Sequence, residues 1–402
     1  VDPDDTCLLD NVVRFVGQRV VAVVAESEGT AEEACRLVQI DYEVLPAVFD
    51  PEEAMKDGAP VIHTGLRAES RIEDAEHNVF LRIANEVGNV DEGFAEADAI
   101  SEGTYYSTKV QHAHLETHGS IVWQGDDGRY HVRTSTQTPH LTKNKLAYLF
   151  GLFPHQIHVF SERVGGGFGA KQEVLTEDLC LFAAIQTCRP VKWEFTRAEE
   201  FSASVSRHPM KVTIKLGARK DGTLTAMEIR TVSDTGALAR GKLNVARKAY
   251  GTPRSTAFLV HGFRVAVHGV TGEIRILQSV QAYDAGTVLN PMQARGQLEG
   301  GIAQGIGICL FERMVFDEKG VLTNPNFRNY RIPAFVDIPR SEIYFAKTHD
   351  AFGPMGAKPV GEAPIIPIAG ALGNAVADAT GVRLTSLPFS ADRIYAEIAS
   401  AG

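Results

Sequence analysis

The sequence predicts an α+β (mixed α/β) protein of two or three domains, and three observations carry that expectation. The chain has 402 residues, against about 100–200 for one ordinary domain. Short runs alternating with period two are interleaved with runs at helical spacing. The composition, 44% hydrophobic and 22% charged, is that of a globular protein with a sizeable core.

Residues 19–25 (RVVAVVA) read as a buried strand and residues 30–42 as a helix, a small α/β unit at the start. Residues 46–65, rich in proline, acid and glycine, read as a surface linker, with a boundary near residue 80. Alternating runs at 104–110, 119–123 and 130–135 predict antiparallel sheet, the last two joined by the turn Gly125-Asp126-Asp127-Gly128. A strand at 157–164, a glycine-rich turn, a helix at 172–187 and a strand at 191–195 read together as a βαβ unit. Strands follow at 211–216 and 224–232, and residues 237–248 lose every clear period. Residues 257–281 read as two strands about a turn, before helices at 291–311 and 367–380.

Forty basic and fifty acidic residues leave a net charge of −10, which repels a phosphate backbone and argues against nucleic acid or anionic lipid as partner. Small organic substrates or protein partners fit better. The five cysteines are widely spaced without a C-x-x-C pair, which argues against a disulfide framework, a thiolate zinc site or an iron–sulfur cluster held by this chain alone. No apolar stretch reaches membrane-span length, so a cytoplasmic protein is expected.

Four segments could carry chemistry. Gly165 to Ala170, followed by Lys171, can be read as G-x-G-x-x-A, a dinucleotide fingerprint with Glu194 as ribose acceptor. Glycines there would let backbone N–H groups approach an anion. Phe168, bulky inside that loop, and the lack of a second βαβ half speak against a nicotinamide-dependent dehydrogenase. His112, His114, Glu116 and His118 would share one face of a strand, as a metal site or as a plain polar face. Glu362, between Gly361 and an apolar run, would be a partly desolvated general base or a helix-start carboxylate. Gln137, in Ser135-Thr136-Gln137, is by itself ordinary turn chemistry.

In this order the segments resemble the large, molybdenum-binding part of the xanthine dehydrogenase and aldehyde oxidase family. The match rests on Ser135-Thr136-Gln137, the Gly165 to Lys171 loop, Asp284-Ala285-Gly286 with Asn290-Pro291, Arg295 to Gly305, and Lys358 to Pro364. The resemblance implies a hammerhead-like α/β remnant with its linker (1–80) and two mixed-sheet molybdopterin-binding domains (81–237 and 249–402). It implies molybdenum with molybdopterin or its cytosine dinucleotide form, held near Gln137, Gly166, Gly167, Phe168, Gly169, Gln304 and Gly361. Gln137 and Phe168 would lie near the metal without ligating it, which removes the reason to build a metal site from His112 to His118. Glu362 matches the family's catalytic base, acting with Gln137 in oxidation of an aldehyde or N-heterocycle with water as oxygen source. Iron–sulfur and FAD groups would sit on other subunits of an oligomer.

The chain departs from the family pattern in three places. By the resemblance, the chain is expected to lack the opening of the hammerhead domain, and residues 237–248 stand where the family has a long stretch with further pterin-binding loops. Gln172 occupies a substrate position where purine-oxidising members tend to carry Glu. A non-catalytic remnant or assembly subunit is therefore the third reading, and it predicts exposed apolar faces.

Overall fold

The computed structural model describes residues 8–64, 72–237 and 255–401. Cys7 and residues 238–248 of the aperiodic stretch lie outside them. In chain order the elements are α1 (Glu28–Leu37), α2 (Pro51–Ala54), α3 (Val90–Ala95), β1 (Ala99–Tyr106), β2 (Gly119–Gln124), β3 (Tyr130–Thr134), α4 (Pro139–Phe150) and β4 (Ile157–Phe160). There follow α5 (Glu177–Thr187), β5 (Val191–Glu194), α6 (Arg197–Ala203), β6 (Met210–Ala218), β7 (Leu224–Ser233), β8 (Leu259–Val267) and β9 (Ile274–Tyr283). The last are α7 (Pro291–Leu310), β10 (Ser341–Phe345), α8 (Ile368–Thr380) and α9 (Ala391–Ala401).

The first sheet has the order β4-β3-β2-β5. β2 runs antiparallel to β3 and β5, and β3 runs parallel to β4. The parallel pair is bridged by α4, which starts with Pro139 in its first turn and stops at Gly151, whose left-handed φ of 61° ends the helix. Alternate residues such as Val122 and Val132 point inward and meet Leu146 and Leu181 from the helices in one buried cluster.

The second sheet, β1-β6-β7, is antiparallel. In the third, β10-β9-β8, β8 and β9 form a hairpin and β10 adds parallel to β9. Ile302 and Ile306 of α7, Ile368 and Leu372 of α8, and Ile394 of α9 make its core. The helices approach closely because α7 presents glycine: a Cβ on Gly305 would stand 2.5 Å from Ile368 Cγ1, and one on Gly301 2.8 Å from Pro364 Cβ. The mixed α/β architecture expected from the sequence is the one found.

Three local expectations change. Residues 19–25 are not a strand: no ladder pairs them among the described residues, and Val21 and Val24 are exposed. A strand exists only through its neighbour, and what anchors this segment is Arg19, bidentate to the buried Asp178 at 2.7 and 2.8 Å. The βαβ unit is β3-α4-β4 rather than β4-α5-β5, since β3 and β2 separate β4 from β5. The helix expected at 172 starts at Glu177, so the glycine loop does not open directly into it. Among the described residues no helix is long and apolar enough to cross a membrane, and Cys35, Cys180, Cys188 and Cys309 are free thiols.

Candidate functional site

The glycine loop is shaped by Gln137. Gln137 Oε1 accepts from the backbone N–H of Gly169 (3.2 Å) and of Lys171 (3.1 Å), and its own N–H donates to Lys171 O (2.7 Å). Gly167 is required by this clasp, because a Cβ there would lie 2.5 Å from Gln137 Cδ and Oε1. Phe168 takes φ 54° and is exposed. For a residue with a side chain that conformation costs about 1–2 kcal/mol, so the surroundings impose it.

The support behind the loop comes from residues 112–118, which are coil rather than strand, with Ala113 at φ 57°. The expected common face is therefore absent: Glu116 turns to the glycine loop, whereas His114 and His118 both face Glu200. Glu116 Oε2 accepts from Gly165 N–H (2.6 Å), Ser135 Oγ (2.6 Å) and the fully buried Lys171 ammonium (2.7 Å). Burial works to raise the Glu116 pKa, but these donors outweigh it and hold the carboxyl below its ordinary value. Burial, with the Arg207 charge second, holds His112 down at about 3.

Glu362 arrives from the other end of the chain. Its Oε2 lies 3.7 Å from where a Cβ on Gly169 would stand, and its Oε1 accepts from Arg207 Nη2 at 2.7 Å. The desolvated setting expected for Glu362 is not what is found: its side chain is about a third exposed and ion-paired. The loop that carries it is fixed by Lys358, which bonds the buried Asp284 carboxylate (2.6 Å). Burial opposes ionisation of Asp284, but Lys358, Thr348 and Gly286 prevail and hold it at about 2. Gly361 is exposed at φ 49°, and its carbonyl accepts from Gln297 Nε2 (2.6 Å). Gln297, Gly301 and Gln304 stand four and three residues apart, hence on one face of α7, the face on which Gly301 meets Pro364.

The structure thus brings Gln137, Gly166, Gly167, Phe168, Gly169 and Glu362 together, with Gly361 beside them in the chain. Gln304 sits farther along α7, and Gln172 is an exposed neighbour whose carbonyl contacts Thr138 Oγ1 at 3.4 Å. Arg207 was missed by the sequence reading, where only the Arg207-His208-Pro209 step before a strand hints at a special position; Glu116 was named only with the 112–118 segment and Gln297 only within the Arg295 to Gly305 match, because their contacts are made across the fold. Among the described residues, the N–H groups of Gly166, Gly167 and Phe168, Gln137 Nε2 and the Gln304 amide have no hydrogen-bond partner. The unused donors of Gly166, Gly167, Phe168 and Gln137 beside the glycine cradle fit a ligand rich in oxygen and nitrogen acceptors, which a pterin is.

The description "Molybdopterin cofactor-binding domain" matches residues 72–277, and "Aldehyde oxidase and xanthine dehydrogenase, a/b hammerhead domain" matches residues 1–46. The chain belongs to the xanthine dehydrogenase and aldehyde oxidase family of molybdenum-binding subunits. Relatives in this family include the probable hypoxanthine oxidase XdhD of Escherichia coli, 42% identical over 270 residues, covering 60% of this chain and 28% of that protein. The nicotine 6-hydroxylase large subunit of Paenarthrobacter nicotinovorans is 31% identical over 340 residues, covering 82% and 40%. The nicotinate dehydrogenase large molybdopterin subunit of Eubacterium barkeri is 31% identical over 236 residues, covering 59% and 53%. The chain spans about a quarter to a half of the length of these relatives. In fold it is similar to the aldehyde oxidoreductase from Desulfovibrio desulfuricans, with TM-score 0.83 at 16% identity over 99% of this chain and 72% of that one. The Cu,Mo-CO dehydrogenase gives 0.79 at 16% identity, over 94% and 86%.

The dinucleotide reading is corrected by the same geometry. A Rossmann crevice needs the glycine turn to run from a strand into a helix and on to a parallel neighbouring strand, whereas here β5 lies at the opposite edge of the sheet from β4. Glu194, the expected ribose acceptor, instead pairs with Lys192 and packs over Gly119.

Proposed function

We propose that this chain supplies the cofactor-holding and proton-transfer groups of a molybdopterin-dependent hydroxylase that oxidises an aldehyde or N-heterocycle with water as oxygen source. The observation that carries the reading is the placement of Glu362 Oε2 against Gly169, in a loop clasped by Gln137. Gln137, the backbone of Gly166, Gly167, Phe168 and Gly169, and the Gln304 amide would hold molybdenum with molybdopterin or its cytosine dinucleotide form. When bound, that group supplies a two-electron sink. Glu362 accepts the proton at Oε2, the oxygen that Arg207 leaves open. Gln137, whose Oε1 is committed to the loop, offers Nε2 as a donor toward the reacting oxygen. Gln172, exposed beside the loop, contacts the substrate.

The division into 1–80, 81–237 and 249–402 belongs to this reading and is supported by the sheets, each of which draws its strands from one of the last two parts. So does assembly with iron–sulfur and flavin subunits, supported by the relatives named as large subunits. Four free thiols support a reducing, cytoplasmic setting.

The test is molybdenum per chain, measured by elemental analysis of protein from cells that make the pterin cofactor, followed by turnover of Glu362→Gln. Near-stoichiometric molybdenum is expected in both proteins, with turnover in the variant reduced at least about 100-fold. A mild loss removes Glu362 as base. Absence of molybdenum from a folded sample would favour the assembly-subunit reading.

A further inference from the structure

Behind the glycine loop lies a cluster that the proposed reaction does not use: His114, His118 and Glu200, all buried, with one donor atom of each within 4.8 Å of the others. Glu200 stands in the first turn of α6, a helix fixed by a reciprocal cap in which Thr196 Oγ1 accepts from Glu199 N–H and Glu199 Oε2 accepts from Thr196 N–H. The two histidines come from the coil that supports the loop.

The hydrogen-bond inventory of the cluster does not close with neutral rings. His114 Nδ1 lies 2.5 Å from Glu116 O, and His118 Nε2 lies 3.3 Å from Ala170 O. Each contact requires an N–H on that nitrogen, because a carbonyl only accepts. The remaining nitrogens, His114 Nε2 and His118 Nδ1, then carry lone pairs and both face Glu200 Oε1, at 3.3 and 2.9 Å. His114 Nε2 is buried without a hydrogen-bond partner. Glu200 Oε2 accepts from the His118 backbone N–H at 2.8 Å and lies 2.9 Å from His118 Nδ1 as well, so Oε1 is the oxygen that faces both rings. Three acceptors therefore converge on one buried point.

We infer that His114 Nε2, His118 Nδ1 and Glu200 Oε1 form a structural zinc site, with the ion placed between them. Metal bonds to nitrogen and oxygen of about 2.0–2.1 Å put tetrahedral ligands about 3.3 Å apart, against 3.3 and 2.9 Å from the two ring nitrogens to Oε1 and at most 4.8 Å between any two of the three atoms. Metal-ligating histidines characteristically donate their other ring N–H to a carbonyl or carboxylate, and both of these do. Two imidazoles and one carboxylate are a zinc donor set, and a water trapped as the chain folds would take the fourth position. The cluster is closed to solvent, so the ion enters as the chain folds. Its effect is to tie α6 to the supporting coil and, through the Ala170 carbonyl, to the glycine loop.

The test uses the whole chain from zinc-supplemented cells unable to make the pterin cofactor, so that it is independent of molybdenum loading. About one zinc per chain is expected after gel filtration, and cobalt substitution of the same protein should give the visible absorption of a tetrahedral ion. In His114→Gln and Glu200→Gln, checked for folding by circular dichroism, zinc should fall about tenfold or more. A folded parent protein with less than about a tenth of a zinc per chain and no cobalt spectrum overturns the site. So does zinc retained undiminished in both folded variants.

Discussion

Arg207 Nη2 lies 2.7 Å from Glu362 Oε1, an ion pair between residues 155 positions apart that joins the lead into β6 to the loop before α8. The pair is partly exposed, at 29% and 35%, so its Coulomb attraction is screened and its value to global stability is small. Its effect is geometric: it fixes which carboxylate oxygen is occupied and which faces Gly169.

Replacing Arg207 with Gln should therefore separate stability from function. Thermal unfolding should shift by the equivalent of about 1 kcal/mol or less, while turnover of the molybdenum-loaded protein should fall about 100-fold through misplacement of Glu362. Hydrogen exchange at residues 360–363 should quicken. Unchanged turnover would show that Glu362 needs no such positioning.

Gly167→Ala should push the Gln137 amide off the loop, since the added Cβ stands 2.5 Å from Gln137 Cδ and Oε1. The amides of Gly169 and Lys171 lose their acceptor and should exchange faster, and bound molybdenum should drop. Gly370→Ala is the control: this exposed glycine in α8 has nothing within 4 Å of an added Cβ, so the variant should be more stable by about 0.5–1 kcal/mol. Equal behaviour of the two variants would contradict the clasp.

Glu312 should give the protein a pH-dependent weakness. Burial raises its pKa from 4.5 to about 7, against smaller opposing effects of the Tyr330 hydrogen bond and the Arg207 charge. The folded state therefore binds more protons than the unfolded state between these values, and stability falls as pH rises through that window and levels off above it. Glu312→Gln removes the ionisation, so at pH 8 it should exceed the parent protein by up to about 3 kcal/mol. At pH 4 the gap should close, which denaturant titration at the two pH values measures. A constant difference would show that Glu312 does not titrate in this range.

Much of the fold was legible because periodicity survives where one face is buried. The β2–β3 hairpin, the β8–β9 hairpin, α7 and α8 stand close to where alternation, turn residues and helix-start signals place them. The short β10 and the amphipathic α9 were missed, the first because five residues carry little pattern, the second because it follows a run of turn-forming residues. Residues 19–25 failed for the opposite reason: a strand-like pattern does not make a strand without a partner.

At the site, Gln137, Gly167, Gly169 and Glu362 were named by motif, and their proximity is what the structure adds. The sequence by itself determined the family, the mixed α/β class and the glycine-rich loop, since glycine spacing and motif order are local properties of the chain. Only the tertiary structure decided that Arg207 occupies one oxygen of Glu362, that Glu116 and buried Lys171 stand behind the loop, and that Glu200 converges with His114 and His118. Those partners lie tens of residues apart, and a side chain's charge partner is set by which surfaces pack together, a property that no local spacing encodes.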